Sequence, residues 1–338
     1  MKLSWSRLPL KLRHRFATSQ GGVSEKETIV VRIEHDGVFG EGEVTPSRLY
    51  GQTLESSEAA LGEIRGWIDR FTPARIHAVV TELIRRHDAQ RAVIAAIDSA
   101  LHDWVGRRVN RPTWELLGLD PPACRTTFTI GIADADTTHR KTVEALQAGA
   151  TALKAKIGVE GDTAALEIIR NAFEGPLLLD ANEAWTPETA VQRVRDLARF
   201  RPTMIEQPMK REYDAHLPRL RELGVAPIFV DESCERPADV VRLRGLADGV
   251  NIKFNKCGGI REALRMIALA RGLGMGVMLG CFVCSSLAIA PALSIASLCD
   301  YSDLDGALLL ADDPYEGIRF EGGVLSFGEL PGVGVRRR

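Results

Sequence analysis

Short β-branched or leucine-rich runs recur along the second two-thirds of the chain. Each closes on polar residues, and amphipathic stretches of helical period lie between them. The runs are TTFTIGI (126–132), ALKAKIG (152–158), PLLLDAN (176–182), PTMIEQP (202–208), PIFVDES (227–233), GVNIKFN (249–255), GVMLGC (276–281) and SDLDG (302–306). Lys156, Asp180, Glu206, Asp231 and Lys253 mark runs two to six at intervals of 24, 26, 25 and 22 residues. That spacing is about one strand-loop-helix-loop unit, and eight such units predict a (β/α)8 barrel. Residues 1–120 pattern differently. ETIVVRIEHDGVFGEGEV alternates like two antiparallel strands with a turn at Asp36-Gly37, and RAVIAAIDSALHDWVGRR carries apolar residues at helical spacing. The pattern thus divides the chain into an α+β domain over 1–120, an α/β barrel over 121–312 and a C-terminal segment over 313–338. The last contains IRFEGGVLSFGELPGVGV, which reads as a short hairpin returning to the first domain.

One stretch, Gly272 to Cys299, has no charge and is long enough to span a bilayer. Its glycines, the CSS break and Pro291 instead divide it into a strand and a helix, both apolar because a barrel covers both, so no membrane partner is expected. The 43 basic and 45 acidic residues nearly cancel, which leaves no global field for nucleic acid and favours a small-molecule partner. The six cysteines are scattered, as in a reduced cytoplasmic protein, and no export signal is apparent in MKLSWSRLPLKLRHRF. CFVC (281–284) has no second pair and no His cluster near it, so neither a zinc nor a redox site is expected.

Barrels of this kind carry their chemistry at the C-terminal ends of the strands. Any one carboxylate there can equally cap the next helix, as Asn182 or Ser233 can. Asp180, Glu206 and Asp231, however, fall on three neighbouring strands. Three converging carboxylates remain ionised only beside a cation, and an all-oxygen set selects a hard ion, Mg2+ or Mn2+. Lys156 and Lys253 fall four strands apart, on opposite sides of the mouth. Lys154 shares a strand face with Lys156 and, as a neighbouring cation, would shift it toward the range of a base or donate to an anionic substrate oxygen. A snorkelling surface pair is the alternative. A base on each side of a metal-held carboxylate suits removal of the adjacent α-proton and its return from the other face, with an enediolate between the steps.

At these residues, KAK, DAN, EQP, DES and NIKFNKCGG, the chain resembles the enolase superfamily over nearly its full length. Lys-x-Lys on the second strand with Lys on the sixth resembles the muconate-cycloisomerase subgroup. The mandelate-racemase type would need a late catalytic His, and GVMLGCF has none. The resemblance implies a modified (β/α)8 TIM-like barrel under an N-terminal α+β capping domain. It also implies Lys156 and Lys253 as acid/base catalysts, Lys154 in support, and Asp180, Glu206 and Asp231 as metal ligands in preference to the neighbouring Glu232 and Lys256.

Asp303 and Asp305 resemble the Asp-x-Asp of dipeptide epimerases, where they would hold a substrate ammonium; a solvated loop-end pair is the other reading. The implied activity is metal-dependent inversion of the C-terminal residue of a dipeptide of the L-Ala-D/L-Glu type. N-acylamino acid racemase and o-succinylbenzoate synthase activities belong to the same subgroup. A Schiff-base aldolase or a non-catalytic binding barrel are competing readings of other classes. Capping loops at 13–22 and 46–53, with Gly21, Gly22 and Gly51, are expected to act as lids. Arg15, with Arg13 and Arg48, is expected to meet an acidic substrate side chain. Oligomeric state is open, a homo-oligomer included.

Overall fold

The structure, a computed structural model, describes residues 1–18 and 21–338. β1 (Lys2–Thr18) and β2 (Gly21–His35) form a long antiparallel hairpin, and β3 (Val38–Val44) extends it into a three-stranded sheet. β2 turns into β3 through Asp36 and Gly37, both left-handed (φ 49° and 72°), the pair that a tight two-residue hairpin needs to match the twist of its strands. Helices α1 (Leu54–Arg65), α2 (Ile76–His87), α3 (Arg91–Val109) and α4 (Thr113–Leu116) follow. Alternate residues Ile29, Val31 and Ile33 pack with Ile94, Ile97 and Leu101 of α3. A side chain at Gly40 or Gly42 of β3 would run into the backbone carbonyl of Ala100 or Ala96, so glycine is what lets α3 lie this close.

After the short β4 (Ala123–Arg125), eight parallel strands form the barrel: β5 (Phe128–Ile130), β6 (Leu153–Lys156), β7 (Leu177–Asp180), β8 (Met204–Glu206), β9 (Ile228–Val230), β10 (Gly249–Lys253), β11 (Gly276–Gly280) and β12 (Tyr301–Asp303). They are hydrogen-bonded in chain order, and a bridge between Thr126 and Ser302 joins the last strand to the first. Each lies within one of the eight runs or a residue beyond it. Leu178, Met204, Phe229 and Met278 fill the lower interior. Connecting helices are α5 (Ala135–Gln147), α6 (Asp162–Ala172), α7 (Pro187–Leu197), α8 (Leu217–Arg221), α9 (Pro237–Arg242), α10 (Phe254–Cys257), α11 (Ile260–Gly272) and α12 (Ser286–Leu293). The apolar stretch 272–299 resolves into β11 and α12, and among the described residues no helix is long and apolar enough to cross a membrane.

The eighth unit lacks its helix. The chain after β12 pairs instead with the capping hairpin, through Arg13 N to Leu309 O (2.9 Å) and Ala311 N to Lys11 O (2.9 Å). This docking also changes the expected first lid. Residues 13–18 are strand rather than loop, because their backbone is held by Leu309 on one side and by Ile132 N to Ala17 O (3.0 Å) on the other. Ser19 and Gln20 of that expected lid lie outside the described residues. The second expected lid contains one 3-10 turn, Arg48–Tyr50, closed by Gly51 at φ 68°. The tail supplies β13 (Tyr315–Glu316), β14 (Ile318–Glu321), β15 (Val324–Phe327) and β16 (Arg336–Arg337). β14 and β15 form the expected hairpin, β15 pairs with β4, and Val333 N donates to Asp103 of α3 (3.0 Å).

Candidate active site

Asp180 and Glu206 end β7 and β8 as register partners, and Asp231 directly follows β9; all three are at most 2% exposed. Carboxylates that deep need counter-charge. Lys156 Nζ donates to Asp180 Oδ2 at 2.6 Å. Lys154 Nζ lies 2.9 Å from the same oxygen, 2.7 Å from Glu206 Oε2 and 2.8 Å from Asp303 Oδ2. Across the ring, Lys253 Nζ donates to Asp231 Oδ2 at 2.6 Å, while Lys256 Nζ bonds the other Asp231 oxygen, Asp231 O (2.6 Å) and Asn251 O (3.2 Å).

The pKa directions follow from this contest between burial and charge. Burial raises Asp180, but Lys154 and Lys156 outweigh it and bring it to about 2. Burial also raises Asp231, and Lys253 and Lys256 carry it well below the usual range. Glu206 has a net rise, from burial and the Asp180 charge. Burial lowers Lys154 and Lys253, yet the acids around each hold both above an ordinary lysine. Glu232 is pushed up to about 8 by burial and by Asp231.

The loops that carry these groups are locked to one another. Gln207 sits at φ 38°, a left-handed position unusual for its residue type. Its side-chain oxygen accepts from Asp231 N (2.8 Å) and Ser233 N (3.2 Å), and its amide donates to Met209 O (2.7 Å) and Ser233 Oγ (2.8 Å). Asn251, two residues before Lys253, donates to Glu206 Oε1 at 2.7 Å.

The donor set fits a hard divalent cation by its chemistry: three buried carboxylates on adjacent strands, all oxygen. Glu206 Oε2 supports this, since it accepts no hydrogen bond despite its ion pair with Lys154. As they stand, the ammonium groups lie between the carboxylates, and among the described residues no three His, Cys, Asp or Glu side chains converge as a ready-made metal cluster.

Residues 6–118 match the N-terminal domain of the mandelate racemase / muconate lactonizing enzyme family, and residues 138–338 match its enolase C-terminal domain-like partner. The chain belongs to this family of the enolase superfamily. A curated relative from Bacteroides thetaiotaomicron, an L-Ala-D/L-Glu epimerase, is 35% identical, with 100% of this chain and 88% of the relative covered. A hydrophobic dipeptide epimerase from Roseobacter litoralis is 34% identical, with 99% and 98% covered. Among solved structures, the dipeptide epimerase of Methylococcus capsulatus, complexed with Mg and L-Arg-D-Lys, superposes with a TM-score of 0.92 at 31% identity, covering 99% of each chain.

Within this family member, the structure gathers Lys154, Lys156, Asp180, Glu206, Asp231 and Lys253 at one end of the barrel. Lys154 shares Asp180 with Lys156, and its ammonium pairs with three carboxylates, those of Asp180, Glu206 and Asp303. Asp303 accepts from Lys154 Nζ at 2.8 Å and from Thr127 Oγ1 at 2.6 Å. Asp305 accepts from Thr129 N (2.7 Å) and is raised to about 7 by burial beside Asp303. Glu232, a rejected competitor, accepts from Asn182 Nδ2 (3.1 Å), and Lys256 is a buried strut on Asp231. Arg15 is exposed, with its guanidinium against Gly22. It lines a cavity of about 210 Å³ with His14, Lys141 and Glu144. Sequence reasoning missed Gln207 and Asn251. Asn251 was signalled by its i, i+2 spacing from Lys253.

Proposed function

We propose that this enzyme is an isomerase, a metal-dependent dipeptide epimerase that inverts the α-carbon of the C-terminal residue by two-base proton transfer, with a free dipeptide as substrate. The observation that carries the reading is the opposition of Lys156 on β6 and Lys253 on β10, four strands apart in an eight-stranded ring, with Asp180, Glu206 and Asp231 between them. Mg2+ is the proposed cofactor, held by those three carboxylates; when bound, it supplies the charge that makes the α-proton of a carboxylate acidic enough to remove. One lysine in its amine form accepts the proton from one face of the α-carbon. The other, in its ammonium form, delivers a proton to the opposite face, so the centre is inverted with no net gain or loss of protons. Lys253 is buried and the Lys156 side chain is only 8% exposed, which limits the access of water to the reacting carbon.

Asp303 and Asp305 are proposed to receive the dipeptide ammonium. Asp305 is held near neutrality beside Asp303, and an incoming cation supplies the counter-charge that lets it ionise. The six cysteines are unpaired, which suits the cytoplasm as the working compartment.

The test is incubation with an L,L-dipeptide library in deuterium oxide, read by mass gain and by resolution of diastereomers, with EDTA and with Mg2+ restored. Mass gain coupled to epimerisation that EDTA stops and Mg2+ restores is expected. Full activity in metal-stripped protein overturns the reading, and faster turnover of N-acylamino acids than of any free dipeptide moves it to the racemase branch.

A further inference from the structure

Lys26 lies on β2 of the capping hairpin, opposite Leu10, and alternates with Thr28 and Val30. Val30 packs against Leu287 and Ala290 of α12, so this is the face turned toward the barrel. The Lys26 ammonium stands 5.4 Å from the ring centroid of Phe282, and the Lys253 ammonium stands 4.9 Å from the same centroid. Phe282 follows β11 at the mouth, and Tyr50 of the second capping loop meets its ring edge-on at 6.3 Å. A lysine from the cap and a lysine from the catalytic pair therefore share one aromatic platform.

Lys154, Lys156, Lys253 and Lys256 at the mouth each have a carboxylate partner. Lys26 does not: among the described residues its ammonium makes no side-chain hydrogen bond and no close ion pair, although the charge of Glu43 acts on it from a distance. Glu43, the acid nearest in effect, is committed to the backbone and hydroxyl of Ser285. Lys26 is half-buried, where an ion pair is screened less than on an open surface. The remaining substrate groups already have partners elsewhere in the proposed function. The terminal carboxylate belongs to the β7–β9 cluster, the ammonium to Asp303 and Asp305, and the α-carbon to the space between Lys156 and Lys253. What is left without a partner is the side chain on the inverted carbon, which must leave the ring toward the cap. There the unpaired cation is beside Lys253.

We propose that Lys26 is a specificity-determining residue that pairs with a side-chain carboxylate on the residue being inverted, so that the enzyme selects dipeptides ending in an acidic residue. This rests on the dipeptide-epimerase reading. It takes the role that sequence assigned to Arg15, whose guanidinium lies against Gly22 rather than over the Phe282 ring.

The test compares kcat/KM for L-Ala-L-Glu, the neutral isostere L-Ala-L-Gln and L-Ala-L-Lys in wild type, K26M, K26R and K26E. Wild type should prefer Glu over Gln by at least about tenfold, mainly through KM, as loss of a charged partner implies. K26M should lose that preference, K26R should retain it, and K26E should favour Lys over Glu. A wild type that turns over Gln as well as Glu overturns the inference with no variant needed, and so does a K26M that keeps the wild-type ratio. Turnover of no dipeptide by wild type overturns the epimerase reading itself, and the inference with it.

Discussion

Four lysines crowd the acidic cluster at the barrel mouth, and what each can do follows from the company it keeps. Lys256 is 1% exposed, and all its partners belong to Asp231 or to the carbonyl of Asn251. It fixes a carboxylate rather than facing a substrate. Lys256→Met would take one donor from each of those carbonyls, though Cys234 N still donates to Asp231 O, and leave Asp231 with one cation fewer. A loss of about 3 kcal/mol is expected, measured by urea denaturation. Lys156 and Lys253 each make one short bond to one acid, which leaves protons free for transfer. Lys156→Ala and Lys253→Ala should each lower epimerisation by at least about 100-fold, while deuterium exchange persists from the one face whose base remains. Epimerisation at the wild-type rate in either variant, followed by chiral chromatography, would refute the two-base mechanism.

At the scale of elements, α3 ties the cap to the rest of the chain. Asp98 accepts Ile260 N (2.6 Å) at the start of α11, and Asp103 accepts both Glu41 N of β3 (2.9 Å) and Val333 N of the tail. Burial raises Asp103 to about 6, in spite of Arg107 beside it. An acid whose folded pKa lies above its unfolded value stabilises most when protonated, so its contribution is present below about pH 4 and falls as pH rises through 6. Relative to Asp103→Asn, the unfolding free energy of wild type should therefore fall by up to roughly 3 kcal/mol between pH 4 and pH 7, followed by pH-dependent denaturation. A flat difference over that range would show that Asp103 does not titrate with folding.

The barrel strands and their end residues were legible because period and polarity coincide there. Lys156, Asp180, Glu206 and Lys253 each end a run whose neighbours are apolar and buried. The docking of residues 13–18 was not legible, since it depends on Leu309 and Ile132 across the fold. Nor was the state of Lys154, whose three partners come from three other strands. Such contacts are set by tertiary packing, to which no local spacing points.

At the scale of the whole molecule, the charges nearly cancel, so cation affinity cannot come from a long-range field and must be local to the mouth. The unfolded chain scatters Asp180, Glu206 and Asp231 at intervals of about 25 residues and cannot assemble their oxygens. A divalent cation held by these three therefore binds the native state alone, and mass action must raise stability. At a Mg2+ concentration 100-fold over Kd the gain is about 2.7 kcal/mol, which for a chain of this size raises Tm by about 4 °C. Calorimetry of EDTA-treated protein with Mg2+, against NaCl at equal ionic strength, measures it. Glu206→Gln keeps an acceptor for Asn251 but removes the oxygen that accepts no hydrogen bond, so the Mg2+-dependent rise should vanish whatever the variant's own Tm. A rise equal to wild type in that variant would remove Glu206 from the metal site, and no rise in either protein would separate the carboxylate cluster from metal binding altogether.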